Sequence, residues 1–456
     1  MSLSRTVSYQ PSVGREPLHA VQVLGGAVSP FGDVAPSAGT SAHVRSLTEG
    51  LVARGVRVTV CAAARDSELR HAFTAAGAHF AATGGRTEPE AVAVLRAVCA
   101  DADLVHAHGL RAGFLASLAL GRRRHEVPLI VTWHTAPRTG AETDHGTRVE
   151  AARELFVRLL RRRVARAASV VLGVTTDLVD AARRSGARDA RLAPVALPGP
   201  RRPESPPGSL PGGSAEPGTH APEPPPLPGG SRTDRPPGTA AGTMTGGPGC
   251  PAGSGEYDDG EEALRHKARA DIGAIGRPLL FAVGRLDRRQ GYDTVLTASR
   301  AWRCLDPQPL LAIAGEGPER AALQERIERE ALPVRLLGRR DDALRLLAGA
   351  DIALLSARWE GRSLPAQEAL RTGVPLVATE VGGIPELVGD AAVLVPYGDP
   401  DSLASAVVRL LGDPAHRAAL AAAGRARAAT WPTEDDTVTQ VLSVYDEVTD
   451  SGTASG

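Results

Sequence analysis

EGRSLPAQE, residues 360–368, sets two glutamates eight positions apart at the junction of two elements. The apolar run Ile352–Leu355 before it reads as a buried strand, and Pro365–Arg371 after it reads as helix. Glu360 therefore stands at a strand exit, and Glu368 about one helical turn into the next element. In an open parallel α/β sheet, ligands bind beyond the carboxyl ends of the strands. A carboxylate there can grip a hydroxyl pair, as on a sugar or a ribose. The free N–H groups of a helix start can meet a phosphate. Solvated helix-end acids are the plain alternative, so the rest of the chain has to decide between the two.

Alternating strand and helix patterns run through most of that remainder. Strand-like runs fall at Ala20–Leu24, Val56–Cys61, Asp103–His106, Pro128–Thr132, Ser169–Gly173 and Arg191–Val195. A second set falls at Leu279–Gly284, Leu310–Ala314, Val334–Gly338, Ile352–Leu355, Pro375–Thr379 and Ala392–Val395. Helical stretches separate most of them. Repeated strand–helix units imply parallel sheets covered by helices on both faces. Two such sets predict an α/β chain of two Rossmann-like domains whose parallel sheets face one another across a cleft. A last helical stretch, Asp435–Val448, has no strand after it and is expected to cross back to the first domain.

Between the two sets, residues 198–256 carry 16 of the 36 prolines. Such a segment buries too little apolar surface to offset its ordering entropy, so it reads as a disordered linker. Its core, APEPPPLPGG, has the composition of a polyproline II segment, with a passive spacer as the simpler role. The expected domains are a disordered tail over 1–17, an N-terminal Rossmann-like acceptor domain over 18–197, and a Pro/Gly-rich linker over 198–260. A C-terminal Rossmann-like donor domain over 261–433 and a crossover helix with tail over 434–456 complete the chain.

Formal net charge is zero, but residues 1–197 hold 25 arginines against 17 acids. A basic half suits an anionic partner or surface, or attraction between the two lobes. Lys267 is the only lysine; the arginine, alanine and glycine usage fits a GC-rich, bacterial genome. Cys61, Cys99, Cys250 and Cys304 are widely spaced, which argues against a disulfide framework or a cysteine metal site and fits a reducing cytoplasm. No run reaches the ~20 apolar residues of a membrane span, and the first 17 residues lack the apolar core of a signal peptide. The stretch Val149–Arg166 is amphipathic, with Leu155, Phe156, Leu159, Leu160 and Val164 on one face and Arg158, Arg161 and Arg162 opposite. It reads as a packed helix with a solvated basic face, or as a peripheral contact with the inner face of an anionic membrane.

LLFAVGRLDRRQGYDTVLTA opens the second set. A strand, Gly284, a basic loop and a helix opening at Gly291 form a phosphate-binding layout, in which Arg285 can fork onto a diphosphate. A second Gly-rich turn, GEGP, follows the next strand. Taken in order, GRL…G, GEGP, GR, AD, E-G-x-S-L-x-x-x-E-A, GVPLVA and GGIPE resemble the retaining family-4 glycosyltransferases of GT-B fold (glycosyl transferases group 1). The resemblance covers nearly all of the chain outside tail and linker.

The resemblance implies a retaining hexosyltransferase that moves a sugar from a nucleoside diphosphate sugar to an acceptor. That acceptor is a small molecule, a glycan or a lipid-linked group; neither cofactor, metal nor nucleic acid is expected. Glu368 matches the glutamate on the ribose hydroxyls, and Glu360 the one on the transferred sugar. Arg285 matches the arginine on the diphosphate, Ser363 and Leu364 the backbone amides facing sugar or phosphate, and Gly382 and Gly383 a glycine pair at the cleft. In the first half, VTWHT gives His134 the place of the histidine beside the donor sugar. DLVHAHG carries His106, expected in a strand as a core residue, and His108 at its exit. SAGTSAHVRSL gives Gly39 a place facing the donor phosphates or acceptor.

Three departures stand out. Gln290 takes the position of a lysine expected on the diphosphate, and its amide adds no charge; Arg288 or Arg289 are candidates to supply it. Ala38 replaces the first of two adjacent glycines. LAPVALPGP replaces the turn that ordinarily closes the first domain. These departures motivate the alternative of a non-catalytic nucleotide-sugar-binding relative, a sensor or scaffold. A nucleotide-sugar epimerase of similar build arranges its acids differently.

A spacer of this length raises the entropic cost of lobe closure by only tenths to about one kcal/mol. Deleting residues 205–250 should therefore leave turnover near that of the intact chain, measured as nucleoside diphosphate release. A collapse of turnover would assign the segment a function of its own.

Overall fold

Runs of four to six apolar residues without charges are stable only when covered on both faces, and both strand sets meet that condition through parallel pairing. The structure is a computed structural model and describes residues 17–25, 38–62, 67–83, 88–135, 148–193, 195–196, 266–267 and 269–453. The expected linker lies outside the described residues, as does the expected tail except for Pro17.

The first sheet has seven parallel strands: β1 (His19–Leu24), β2 (Arg57–Ala62), β3 (His79–Ala82), β4 (Leu104–His108), β5 (Leu129–Trp133), β6 (Val170–Gly173) and β7 (Ala190–Leu192), in the order β3-β2-β1-β4-β5-β6-β7. The second has six: β8 (Leu279–Val283), β9 (Leu310–Ala314), β10 (Val334–Gly338), β11 (Ile352–Leu355), β12 (Leu376–Thr379) and β13 (Val393–Val395), in the order β10-β9-β8-β11-β12-β13. Each order reverses once, between β1 and β4 and between β8 and β11. Those reversals open the crevices where ligands bind in doubly wound sheets. The two Rossmann-like sheets expected from the sequence are present.

Three readings are corrected. β3 has no counterpart among the predicted runs; it is a short edge strand, HFAA, none of whose residues is buried. The predicted strand Arg191–Val195 is instead Ala190–Leu192, shifted toward the preceding turn. The strand expected to end at His106 continues to His108, so both histidines lie within β4.

Helices on the first sheet include α1 (Ala38–Ala53), α2 (Ser67–Ala75), α3 (Glu88–Val98), α4 (Leu110–Leu120), α5 (Arg148–Ala167) and α6 (Thr176–Arg184). The second sheet carries α7 (Tyr292–Ala298), α8 (Arg320–Arg329), α9 (Ala343–Ala348), α10 (Leu364–Thr372), α11 (Ile384–Val388), α12 (Pro400–Gly412) and α13 (Pro414–Ala428). The last helix, α14 (Glu434–Thr453), leaves the second sheet and packs on α1. Its Val438, Val441, Leu442, Val444 and Tyr445 join Val44, Leu47 and Leu51 in the first sheet's core. Burying side chains of this size contributes about 1.5–3 kcal/mol each, which accounts for a helix crossing to the other lobe. Gly50 makes the approach possible, since a Cβ there would overlap Val438.

In α5, Val164 is buried and Arg161 stacks over Trp133 at 5.8 Å, while Leu155, Phe156 and Leu159 are exposed. The packed-helix reading thus holds for its last turns but not for its first. Among the described residues no helix is long and apolar enough to cross a membrane.

Candidate functional site

Four strand exits converge in the second lobe. After β8 comes Gly284, then a 3₁₀ turn, Arg288–Gln290, which Asp287 caps by accepting the Arg289 N–H at 3.0 Å. The turn ends at Gly291 in the left-handed region (φ 68°), where a Cβ would overlap the Ser356 carbonyl. Only glycine meets both demands. The Ser356 hydroxyl donates to the Gln290 carbonyl at 2.6 Å, and the Arg358 N–H donates to the Arg289 carbonyl at 2.7 Å. From the neighbouring exit, the Leu286 N–H donates to the Glu316 carbonyl at 3.0 Å. After β12, Gly382 (φ 53°) lies against the Glu360 carbonyl, which accepts the Gly383 N–H at 2.8 Å. Backbone thus packs on backbone at Gly291 and Gly382.

Glu360 sits at the meeting point. One carboxylate oxygen accepts from Gln290 Nε2 at 3.2 Å. Burial pushes its carboxyl above the usual range, and the Gln290 amide and Arg289 charge only partly oppose this. The Tyr292 hydroxyl and the Gln290 amide both crowd the Cα face of Gly284, and burial pushes the Tyr292 phenol up as well. Neither tyrosine nor amide supplies the cation that a buried carboxylate ordinarily requires.

Glu368 lies on α10 and is almost fully buried. Arg371, one turn on, grips it with two nitrogens at 2.7 and 3.0 Å. This fork was readable as an i,i+3 pair, yet the sequence reading passed over it. Ser363 is the N-cap of α10 and Leu364 its first residue, so their N–H groups sit at the positive end of the helix dipole. Arg285 is exposed and only loosely paired with Asp287, at 3.8 Å. Arg288 pairs with Glu319 at 3.5 Å and Arg289 with Asp287 at 3.4 Å. Gly39 falls inside the first turn of α1 rather than in the loop before it. Residues 26–37 of that loop lie outside the described residues.

The first lobe supplies histidines. His134 follows β5, and its carbonyl lies against Gly361, next to Glu360. His108 Nδ1 is 3.2 Å from His134 Nε2. His43 of α1 stands edge-on to both rings, at 6.0 and 5.5 Å between centroids. His106 is a core residue, as expected, bonded to Thr132 at 2.7 Å and to the Tyr445 hydroxyl at 2.8 Å. The site thus gathers Gln290, Glu360, Gly284, Gly382, Gly383 and His134; Glu368 and Arg285 flank it. His43, Gln22 and Tyr445 were not among the residues picked out from sequence. His43 alone had a local signal, standing in the quoted SAGTSAHVRSL. His43, His108 and His134 bring three ring nitrogens within 4.8 Å of one another, the one group with metal-ligand spacing among the described residues. A hydrogen bond already accounts for the 3.2 Å contact.

Among the described residues, three side chains of the second lobe make polar contacts to the first lobe beside this site. Trp359 Nε1 donates to Asp177 at 3.1 Å, Arg362 Nε to the Val195 carbonyl at 3.0 Å, and Thr176 Oγ1 to Glu386 at 2.9 Å.

Burial lowers the pKa of His43 to about 4 and of His106 to about 3, and holds His108 and His134 well below 6.5. Each therefore binds fewer protons folded than unfolded between its folded value and 6.5. Stability should fall as pH drops from about 6.5 toward 4, by about 1.4 kcal/mol per pH unit for each such histidine. Thermal melts of the intact chain and of His43→Gln at pH 7, 6 and 5 check this. The variant should lose less stability across that range; equal losses would mean that His43 is protonated in the folded state.

Comparison with known proteins agrees with this geometry. Residues 265–427 match the family model described as glycosyl transferases group 1, and residues 38–198 match the glycosyl transferase 4-like domain. A GDP-mannose-dependent monoacylated alpha-(1-6)-phosphatidylinositol monomannoside mannosyltransferase of Corynebacterium glutamicum is 34% identical over 178 residues, covering 36% of this chain and 47% of that one. A glycogen synthase of Mycobacterium tuberculosis is 37% identical over 177 residues, covering 38% and 42%. The chain thus spans less than half the length of these curated relatives. Among solved structures, Anabaena HepE in complex with UDP superposes with a TM-score of 0.66 at 16% identity, over 94% of this chain and 100% of that one. WaaG, a glycosyltransferase involved in lipopolysaccharide biosynthesis, gives 0.63 at 15%, over 92% and 98%. Two family models on the two lobes, and one fold shared across nearly the whole length, lead to one conclusion: the chain belongs to the family-4, group 1 glycosyltransferases of GT-B fold.

Proposed function

We propose that this chain is a retaining glycosyltransferase that takes its sugar from a nucleoside diphosphate sugar. The observation that carries the reading is the half-buried Glu360 carboxyl, paired with a neutral amide at 3.2 Å and next to the residue that touches the His134 carbonyl. A carboxyl so placed lacks donors, and the ring hydroxyls of a sugar would supply them. In this reading residues 18–197 form the acceptor domain and 261–433 the donor domain. Glu368, held by Arg371, takes the ribose hydroxyls. Arg285 and the amides of Ser363 and Leu364 meet the diphosphate, and Gly382 and Gly383 let backbone approach the sugar. The charge of the leaving diphosphate is met by guanidinium and helix-end dipoles, so the reading needs no metal or cofactor.

Catalysis is then positioning and leaving-group stabilisation, with the acceptor attacking from the face the phosphate leaves. The C. glutamicum relative acts, by its name, on a phosphatidylinositol mannoside. A lipid-linked acceptor would suit α5, where exposed Leu155 and Leu159 border the basic face of Arg158 and Arg162. The chain would then work in the cytoplasm, peripherally at an anionic membrane.

Incubation with UDP, GDP, ADP and TDP sugars tests the catalyst against the binding-only alternative. One donor should release nucleoside diphosphate slowly without acceptor, and Glu360→Ala should cut that release by roughly a hundredfold or more. Binding without release for every donor would favour a sensor or scaffold.

Gln290 generates a separate expectation. Gln290→Lys places a cation beside both Glu360 and the diphosphate, and charge-assisted bonds are about twice as strong as neutral ones. The donor KM should fall roughly three- to tenfold. An unchanged KM would mean that Arg285, Arg288 or Arg289 already supplies that charge.

A further inference from the structure

A chain of hydrogen bonds runs from the last helix into the site. His106 Nε2 is 2.7 Å from the Thr132 hydroxyl, and His106 Nδ1 is 2.8 Å from the Tyr445 hydroxyl. That hydroxyl accepts from Gln22 Nε2 at 2.7 Å. The other end of the amide, Gln22 Oε1, lies 2.6 Å from His108 Nε2. His108 Nδ1 then meets His134 Nε2 at 3.2 Å. Gln22, His106 and Tyr445 are fully buried and His108 nearly so, so bulk water does not reach the links among these four residues.

The proton order follows from the donors and acceptors. An amide oxygen only accepts, so His108 must carry its proton on Nε2. Its Nδ1 is then a bare lone pair. Two lone pairs cannot face each other at 3.2 Å, so His134 must carry its proton on Nε2 and leave Nδ1 bare. At the other end, the Tyr445 hydroxyl accepts from Gln22 and so gives its own proton to His106 Nδ1. His106 then donates from Nε2 to Thr132.

We infer that Tyr445 and Gln22 are positioning residues that fix the tautomer of His134 through His108, so that His134 meets its ligand with an unprotonated Nδ1. Such a nitrogen accepts a hydrogen bond from a hydroxyl and cannot donate one to a phosphate oxygen. Resting on the glycosyltransferase reading, this assigns His134 to a sugar hydroxyl rather than to the diphosphate. It also gives α14 a role beyond packing: the helix that crosses between lobes sets the protonation pattern of the site. Reversal of the Gln22 amide would invert every proton in the chain, so the orientation of that amide, with its nitrogen on the Tyr445 hydroxyl and its oxygen on His108, sets the order.

Imidazole ¹⁵N spectra of the full chain, labelled at histidine and assigned by single His→Gln variants, test the inference without reference to activity. His108 and His134 should each show a single neutral species protonated at Nε2. Tyr445→Phe, which keeps the ring, should turn His134 into a mixture of both neutral tautomers. Gln22→Met should do the same and stands in if Tyr445→Phe fails to fold. Where donor cleavage is measurable, kcat should fall at least roughly threefold in either variant with the nucleotide KM unchanged, since a wrong tautomer impairs chemistry more than binding. His108 protonated at Nδ1 in the intact chain, or a single unchanged His134 species in both variants, would overturn the inference. Failure of donor cleavage with the expected spectra would count against the glycosyltransferase reading and leave the relay standing.

Discussion

A carboxyl without a cation organises this molecule. Burying an ionised carboxylate costs several kcal/mol unless charge and hydrogen bonds offset it. Glu360 has one amide hydrogen bond and a distant guanidinium, and its pKa rises in consequence. Nothing in packing favours a glutamate there. The surrounding backbone nevertheless holds it in place, through the Gly383 N–H on its carbonyl and through glycines that admit no Cβ at 291 and 382. Four strand exits are thus constrained to present one poorly satisfied group. Stability given up at a site in this way is the usual mark of a group kept for a ligand.

The first lobe follows the opposite rule. His106, His108 and His134 lie in its interior or at its edge, neutral and hydrogen-bonded to neutral partners, so desolvation depresses their pKa values without stranding a charge. The cost appears only on acidification. One lobe therefore offers a carboxyl short of donors, and the other an imidazole whose proton is committed elsewhere. A polyhydroxylated ligand lying between them can donate to both.

How much of this was legible in the sequence depends on how local each signal is. Central strands read clearly, because parallel strands buried on both faces are continuous apolar runs. β3 was missed because an exposed edge strand of four residues has neither that run nor a clean alternation. Glu360, Glu368, Gln290 and the glycines were visible because an ordered set of short motifs carries them. Arg371 was equally local but belongs to no motif, and only coordinates show that it occupies both oxygens of Glu368. The relay was beyond reach: Gln22 and Tyr445 are 423 positions apart, and each alone looks like an ordinary core residue. In α5 the period was right, but no period tells whether an apolar face meets protein or something else.

The segment 356–362 also decides how the lobes can move. Glu360 faces the second lobe's own loops, whereas its neighbours Trp359 and Arg362 bond to Asp177 and to the Val195 carbonyl of the first lobe. Trp359 packs against the first lobe's core as well. These contacts are few and partly solvated, and each contributes about 0.5–1.5 kcal/mol net, somewhat more where a charge takes part. A handful of such bonds holds two domains together without locking them, so opening and closure fall within the range of a ligand's binding energy. Because these seven residues carry the carboxyl and the Trp359 and Arg362 contacts to the first lobe, a rotation of one lobe on the other would bear on the loop that holds Glu360. Under the proposed function, closure and the assembly of the site would be one event, and a ligand that satisfies Glu360 and His134 together would stabilise the closed form by the difference in those contacts.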